Sequence, residues 1–485
     1  MTERPAPFRL PRLVVSAMSG GGGKTLLSLG LAGALRARGV EVVPFKKGPD
    51  YIDAAWLTAA AGRPASNLDP YFLSAERLRS LFVHACTRAL PGACAGGQGG
   101  VALVEGNRGL YDGMDVEGSC ATSQLARDLG APVVLSLNAT KMTRTAAALI
   151  QGITSFEKGL TFAGVVLGQV GRSRHASYLR ASIERYTDMR VLGELPRLAR
   201  NPLPERHMGI SSLLGDRLSG DARQALESLA KLVGENVDVD AVMDAARGAR
   251  PLENVAPFWP ETADDGQPRP RIGYVRDEAL WFYYRENLEA LERAGARLTR
   301  LSLLDPAPWP FDGPDALDGL YLGGGFPEDY LDTLSGSPML AELARRSAEG
   351  FPIYAECGGL MVLSRGISVA GRRWPMAGAL PVEVEVTPRP QGLGYILCDV
   401  TGDNPYHPRG ARLHGHEFHY SRVCGGDLEG TLLRLERGKG MGERRDALLA
   451  HATWGSYTHI FAPAVPTWAP AVVAMARAWR ARRGA

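Results

Sequence analysis

The sequence predicts an α/β protein of two successive units, and three observations carry that expectation. Short runs of β-branched and apolar residues alternate with helical segments, which implies mostly parallel sheets covered on both faces. A glycine-rich turn, "SGGGGKT", joins the first such run to the first helix. Near the middle, "LENVAPFWPETADDGQPRPR" breaks the pattern with prolines, acids and no periodicity. After it the alternation starts again.

In the first unit "RLVVSAM" reads as a strand and "TLLSLGLAGALRARG" as the helix after it. "VEVVPFK" is the next strand. "GVALVEG", "APVVLSLN" and "FAGVVLGQV" repeat the theme of a short buried strand followed by a helical segment. The pattern runs on through "VLGELPRLARNPLPERHMGI" to a polar helical stretch. Residues 1–245 are expected to form this unit, 246–269 a linker, and 270–485 the second unit. There "RIGYVRD", "TRLSLL", "GLYLGGG" and "FPIYAEC" read as strands, and "NLEALERAGARL" as a helix. No repeat of solenoid length and no long low-complexity tract interrupts the chain.

Length and composition agree with this division. A chain of 485 residues is too long for one core. Its 45% hydrophobic and 22% charged content is that of an ordinary globular protein. A formal net charge of +3 argues against nucleic acid or an anionic membrane surface as partner. The closing "MARAWRARRGA" reads as a solvated helix face. No apolar run is long enough to span a bilayer, and "MTERPAPFRLPR" lacks the apolar core of a secretory signal. Cys86, Cys94, Cys120, Cys357, Cys398 and Cys424 show no CxxC spacing, so neither a zinc site nor a disulfide framework is expected. These features together point to the cytoplasm.

The glycine run has the chemistry of a phosphate cradle. Backbone N–H groups around Gly20, Gly21, Gly22 and Gly23 can surround phosphate oxygens, Lys24 neutralises them, and the Thr25 hydroxyl can hold Mg²⁺. Met18 stands where the strict motif has its first glycine. Acids follow at strand ends, where α/β sheets bind ligands. "FKKGPDYID" brings Asp50 and Asp53, and "LVEGNRGLYDG" brings Glu105 and Asp112. Glu105, ending a buried strand beside such a turn, reads as a Mg²⁺ ligand. Gly-Pro-Asp is also good turn chemistry, so a structural role for Asp50 and Asp53 stays open.

A second signal is "FPIYAECGGLMVL". A strand ends at Cys357, two glycines follow, and a helix begins, which is the outline of a nucleophile elbow. A helix N-terminus there would lower the thiol pKa. Bases are offered by His459 in "GSYTH" and by His414, His416 and His419 in "HGHEFHYS". The backbone amides of Gly323, Gly324 and Gly325 offer an oxyanion hole. The histidine spacing is not that of HExxH, and alternation suggests a strand, so metal binding is not expected there.

Taken together and in order, "SGGGGKT", "KKGPDYID", "NLDPYFL", "VEGNRGLYDG", "YLGGGFPE", "AECGGLMVL", "GHEFHYS" and "GSYTH" resemble the glutamine-dependent amidotransferases of corrin and tetrapyrrole carboxylates. The likeness is to the cobyrinate a,c-diamide synthase family and covers nearly the full length. It implies an N-terminal dethiobiotin-synthetase-like P-loop domain with a parallel sheet, and a C-terminal class I glutamine amidotransferase domain. It further implies that Cys357 attacks the glutamine amide with His459 as base and acid. Lys24, Thr25, Asp53 and Glu105 would bind ATP and Mg²⁺, and Asp50 and Asp112 would serve substrate positioning and catalysis. ATP would activate the a- and c-acetate carboxylates of cobyrinate, in cobalamin biosynthesis, for attack by ammonia. The implied partners are a corrin or related tetrapyrrole, glutamine, ATP and a second copy of the chain.

Three departures stand out. Phe461 occupies the position, two after the histidine, where such glutaminases carry a carboxylate, which leaves Glu417 as a substitute. Gln169 replaces an asparagine at the adenine-contacting position of such P-loop domains. The macrocycle is not resolved by sequence: sirohaem, hydrogenobyrinate and Ni-sirohydrochlorin are alternatives. A cobyric-acid-type synthase fits "KKGPDYID" and "EGNRGLYDG" less well. A scaffold ATPase with a dead glutaminase is a remote rival.

Overall fold

The computed structural model describes residues 7–92, 99–198, 203, 220–261 and 266–484. Cys94 and most of "RNPLPERHMGI" lie outside the described residues. The chain divides into two compact units at Pro260 and Glu261.

Among its described residues the first unit has seven strands: β1 Arg12–Ala17, β2 Glu41–Lys47, β3 Ser66–Leu68, β4 Gly100–Glu105, β5 Val133–Asn138, β6 Phe162–Val170 and β7 Val191–Pro196. Their order is β3-β2-β4-β1-β5-β6-β7, and every neighbouring pair is parallel. β1 and β4 are buried at every residue, as expected of central strands covered on both faces. Among the described residues eight helices cover them: α1 Lys24–Ala37, α2 Tyr51–Ala61, α3 Ala75–Ala89, α4 Thr122–Asp128, α5 Thr145–Phe156, α6 Ser173–Tyr186, α7 Gly220–Asn236 and α8 Val239–Arg247. Register decides the site. Glu105 lies opposite Val15 on β1 and Lys46 on β2, so three strand ends meet beside the glycine turn.

α1, the helix after the glycine turn, is held close to α7 by two glycines. A Cβ on Gly30 would lie 2.3 Å from Val233 Cγ2 and 2.9 Å from the Leu229 carbonyl oxygen. One on Gly33 would lie 2.6 Å from Ala230 Cβ.

The proline-rich stretch is only partly a linker. Leu252 bridges Phe8 through two backbone hydrogen bonds of 2.9 and 3.0 Å. Phe258 is buried, with the Arg77 guanidinium 4.5 Å from its ring centroid. Arg77 also donates to the Phe258 carbonyl at 2.5 Å. These isolated apolar residues dock on the first unit without forming any periodic element.

The second unit is richer in strands: β8 Arg271–Val275, β9 Leu280–Phe282, β10 Arg297–Leu301, β11 Gly319–Leu322, β12 Gly324–Gly325, β13 Ile353–Glu356, β14 Gly366–Val369, β15 Arg372–Pro375, β16 Glu383–Val386, β17 Gly392–Val400, β18 Arg412–His419, β19 Ser421–Gly425, β20 Leu433–Arg437, β21 Arg445–Asp446, β22 Leu448–Ala450, β23 Thr453–Ser456 and β24 His459–Ile460. Its main sheet runs β10-β8-β11-β13-β23-β22, parallel except for the last pair. Smaller antiparallel and mixed sheets are built from the other strands. The helices are α9 Arg285–Arg293, α10 Leu331–Ser335, α11 Pro338–Ala348, α12 Gly358–Leu363 and α13 Trp468–Gly484. The helix expected over "NLEALERAGARL" stops at Arg293, because Gly295 turns the chain at a φ of 102° and Arg297 starts β10.

Gly30→Ala should lower the first thermal transition by a few degrees. Alanine gains about 1 kcal/mol of helix propensity, but overpacking against a backbone carbonyl costs roughly 1–3 kcal/mol. Differential scanning calorimetry decides; a raised transition would show that the two helices can separate without loss.

Candidate active site

The glycine turn is built for close approach. Gly21 and Gly23 have φ of 72° and 84°, which side chains resist. A Cβ on Gly22 would lie 2.7 Å from Ala17 Cβ. The Ser136 hydroxyl on β5 donates to the Gly22 carbonyl at 2.7 Å and fixes the turn from below. Lys24 opens α1, is 9% exposed, and makes no ion pair among the described residues. Burial, then Lys46, lowers its pKa, against the pull of Glu105, Asp53 and Asp50. A nearly buried cation at a helix start, with glycine amides around it, suits a polyphosphate. Beside it a cleft is lined by Gly21, Gly22, Asn138, Gln169 and Pro196.

Behind the turn lies a buried ion cluster that the sequence reading did not single out. Lys46 has no solvent exposure, and its Nζ donates to Asp53 at 2.5 Å, Glu105 at 3.0 Å and the Gly106 carbonyl at 3.2 Å. Burial acts to lower the lysine pKa, but Glu105, Asp53 and Asp50 more than offset it and hold the ammonium charged. The Thr25 hydroxyl donates to Glu105 Oε1 at 2.7 Å. Glu105 Oε2 is buried and has no partner. Burial, partly countered by Lys46, pushes the Glu105 carboxyl up to about 7. Asp53 is lowered, since Lys46 and Lys24 outweigh its desolvation.

This donor set fits a divalent cation. Thr25 and the orphaned Glu105 oxygen are hard oxygen ligands of the kind Mg²⁺ takes with phosphate and water. Among the described residues no ready cage of three His, Cys, Asp or Glu side chains exists. Such a cation would have to share its shell with the nucleotide.

Asp50 and Asp112 have local duties. Asp50 caps α2, accepting from the Asp53 amide at 2.9 Å, and burial followed by Asp53 pushes its carboxyl up to about 6. Asp112 is exposed and accepts from the Gly109 amide at 2.8 Å. Among the described residues no hydrogen bond ties Asp112 to the lysine cluster.

In the second unit, Cys357 follows β13 and precedes α12 with φ 48° and ψ −102°. Strain of this kind costs about 1–3 kcal/mol and persists only where surroundings enforce it. Here the Cys357 amide donates to the Ser456 carbonyl at 2.7 Å, and the Gly359 amide to Gly323 at 3.0 Å. The two glycines after the cysteine are required by space. A Cβ on Gly358 would lie 2.9 Å from the Gly325 nitrogen, and one on Gly359 2.5 Å from the Leu322 carbonyl oxygen. Elbow and glycine loop are therefore in direct contact. The Gly323 amide is already engaged, donating to the Tyr283 hydroxyl at 2.7 Å.

His459 is the histidine brought to this point. A Cβ on Gly324 would lie 2.4 Å from His459 Cε1 and 3.2 Å from its Nε2. His459 Nδ1 lies 3.4 Å from Glu356 Oε2, and both residues have no solvent exposure. Glu356 also accepts from the Tyr321 hydroxyl at 3.1 Å and the Ile460 amide at 3.1 Å. With a carboxylate on Nδ1, Nε2 is left as the basic nitrogen. Asp446 fixes the approach to His459, accepting from the Tyr457 and Thr458 amides and the Thr458 hydroxyl at 2.6–3.0 Å.

The other histidines are not equivalent. Strand alternation in β18 puts His414 and His416 on one face, and Glu417 and His419 on the other. His416 stacks on His459 at 4.8 Å and is kept neutral by burial. His419 stacks on Tyr457 at 3.8 Å.

Two expectations are corrected. Glu417 does not assist His459: it accepts from the Lys439 and Gly440 amides at 2.9 Å each, and faces His419. Glu356, the residue before Cys357, is the carboxylate on His459. The thiol is not lowered either. Burial, followed by the charge of Glu328, pushes Cys357 well up, and the bond from Gly358 on a six-residue helix does not offset them. The resting sulfur is a neutral thiol, 3.6 Å from the Phe418 carbonyl.

A nucleotide cradle in one unit and a cysteine elbow with a carboxylate-held histidine in the other define a class, the glutamine-dependent amidotransferases. Comparison with known proteins agrees. Residues 271–465 match the CobB/CobQ-like glutamine amidotransferase domain, and residues 13–210 the CobQ/CobB/MinD/ParA nucleotide binding domain. The cobyrinate a,c-diamide synthase of Magnetococcus marinus is 41% identical over 98% of both chains. That of Methanosarcina barkeri is 34% identical over 100% of this chain and 99% of its own. That of Archaeoglobus fulgidus is 36% identical over 94% and 95%. The chain belongs to the cobyrinate a,c-diamide synthase family. It is a glutamine-dependent amidating ligase with a nucleotide-binding domain. Among the described residues no helix is long and apolar enough to cross a membrane.

If Glu356 orients His459, Glu356→Gln should cut glutamine hydrolysis by roughly 10²-fold or more, because the wrong tautomer would be favoured. Steady-state glutamate release measures this. A rate near that of the unaltered protein would reduce Glu356 to a packing group.

Proposed function

We propose that the protein amidates the a- and c-acetate carboxylates of cobyrinate, using ATP and the amide nitrogen of glutamine. The reading is carried by one observation: a phosphate cradle with its acid cluster and a glutaminase elbow coexist in one chain that matches a relative over 98% of both lengths.

In the second unit, Cys357 Sγ attacks the side-chain carbonyl of glutamine while its proton passes to His459 Nε2. The oxyanion is met by amides of the Gly323–Gly325 loop. Because the Gly323 amide is held by Tyr283, the proposal places it on Gly324 and Gly325. Collapse breaks the C–N bond, His459 returns the proton to the leaving ammonia, and a γ-glutamyl thioester remains. Water attacking through His459 then releases glutamate.

In the first unit, the amides of Gly20–Gly23 and the Lys24 ammonium bind the phosphates of ATP. Thr25, Asp53 and Glu105 would hold Mg²⁺, whose charge would neutralise the phosphate oxygens. Lys46 holds both carboxylates in place and favours their charged forms, and its loss would strand two buried acids. The γ-phosphoryl group passes to a substrate carboxylate, ADP leaves, and ammonia displaces phosphate to form the amide. Asp50 and Asp112 position the substrate, and Gln169 contacts the base. Activation is needed because a carboxylate is a poor acceptor. Ammonia made on demand is needed because free ammonia is protonated at neutral pH. A cytoplasmic setting, where ATP and glutamine are abundant, and a homodimeric state belong to the same proposal.

Mass spectrometry of cobyrinate incubated with the protein, ATP, Mg²⁺ and glutamine tests the assignment, with sirohaem in a parallel reaction. Two successive acid-to-amide mass shifts on cobyrinate are expected. Conversion of sirohaem alone would move the substrate to another tetrapyrrole and leave the chemistry standing.

A further inference from the structure

Glu328 belongs to the glycine-loop motif, but no step above uses it. It lies in a single 3-10 turn, Pro327–Tyr330, three residues past Gly325, and this turn packs against α12, the helix that Cys357 opens. Its Oε2 is inaccessible to solvent and has no hydrogen-bond partner. Burial pushes the carboxyl up to about 8. After burial, its charge is the foremost influence holding the Cys357 thiol up, and it also reaches Tyr457. A carboxyl oxygen shut from water without a partner, in a half-buried side chain beside the elbow, is costly unless a ligand completes it.

The ligand that enters this site brings the missing charge. Glutamine carries an α-ammonium, separated from the reacting carbonyl by two methylenes and Cα. We propose that Glu328 receives the α-ammonium of glutamine and so selects an α-amino acid amide over a simple amide. The inference rests on the glutaminase reading of this unit.

The test compares glutamine with glutaramate, the same side-chain amide without the α-amino group. Hydrolysis of each is followed by ammonia release from the full chain and from Glu328→Gln. The intact protein should prefer glutamine by about 10²-fold in kcat/KM, as expected for a charge-assisted pair in a buried site. Glu328→Gln should raise the KM for glutamine about 10-fold or more and bring the two substrates to similar kcat/KM. Glu328→Asp, which keeps the charge, should retain part of the preference. Equal use of both amides by the intact protein would overturn the proposal without any variant. So would a Glu328→Gln protein that still discriminates fully. If the intact protein released ammonia from neither, the glutaminase reading would fail, and this inference with it.

Discussion

A carboxylate shut away from water must be met by donors, and each unit is organised round one. In the first unit it is Glu105, at the end of β4. Lys46 reaches it from β2 and Thr25 from the start of α1, so the strand ends and the glycine turn are fixed relative to one acid. In the second it is Glu356, at the end of β13. Tyr321 from β11, and Ile460 and His459 from β24, converge on it. Removing one partner of such a buried group typically costs about 3–5 kcal/mol, so the surrounding geometry has little freedom. In both units the compensation that satisfies the acid also places the reactive groups.

The two acids serve different ends. Glu105 keeps one oxygen without a partner and has its carboxyl pushed up towards neutrality, as suits a site awaiting a cation. Glu356 is engaged on both oxygens and works only through the imidazole it holds. A strained cysteine backed by a carboxylate-held histidine is ready in geometry but not in charge, since burial holds the sulfur neutral.

Much of this was legible in the sequence, for physical reasons. β1, β2, β4, β5 and β6 carry short apolar runs because both faces are covered there, and such runs are readable without an alignment. The glycine turn and the Cys357 elbow were readable because backbone geometry there excludes side chains. Lys46 was not. Two adjacent lysines look like a solvated pair, yet both are buried, and the register of β2 on β4 sets Lys46 opposite Glu105. Glu356 is not announced by local pattern, because it reaches His459 from β13, in a different sheet and about a hundred residues earlier in the chain. Asp446 and Glu417 show the same limit: both bind backbone amides of distant segments, which no local pattern announces. The apolar anchors Leu252 and Phe258 sat in a stretch without periodicity and read as linker.

The central claim is that one unit makes ammonia and the other uses it. It is tested most directly by supplying ammonium chloride in place of glutamine to Cys357→Ala and to Glu105→Gln, with cobyrinate and MgATP, and weighing the product. Cys357→Ala is expected to form amide from ammonia and none from glutamine, while Glu105→Gln forms none from either. Loss of ammonia-driven amidation in Cys357→Ala, or its survival in Glu105→Gln, would contradict the division of labour.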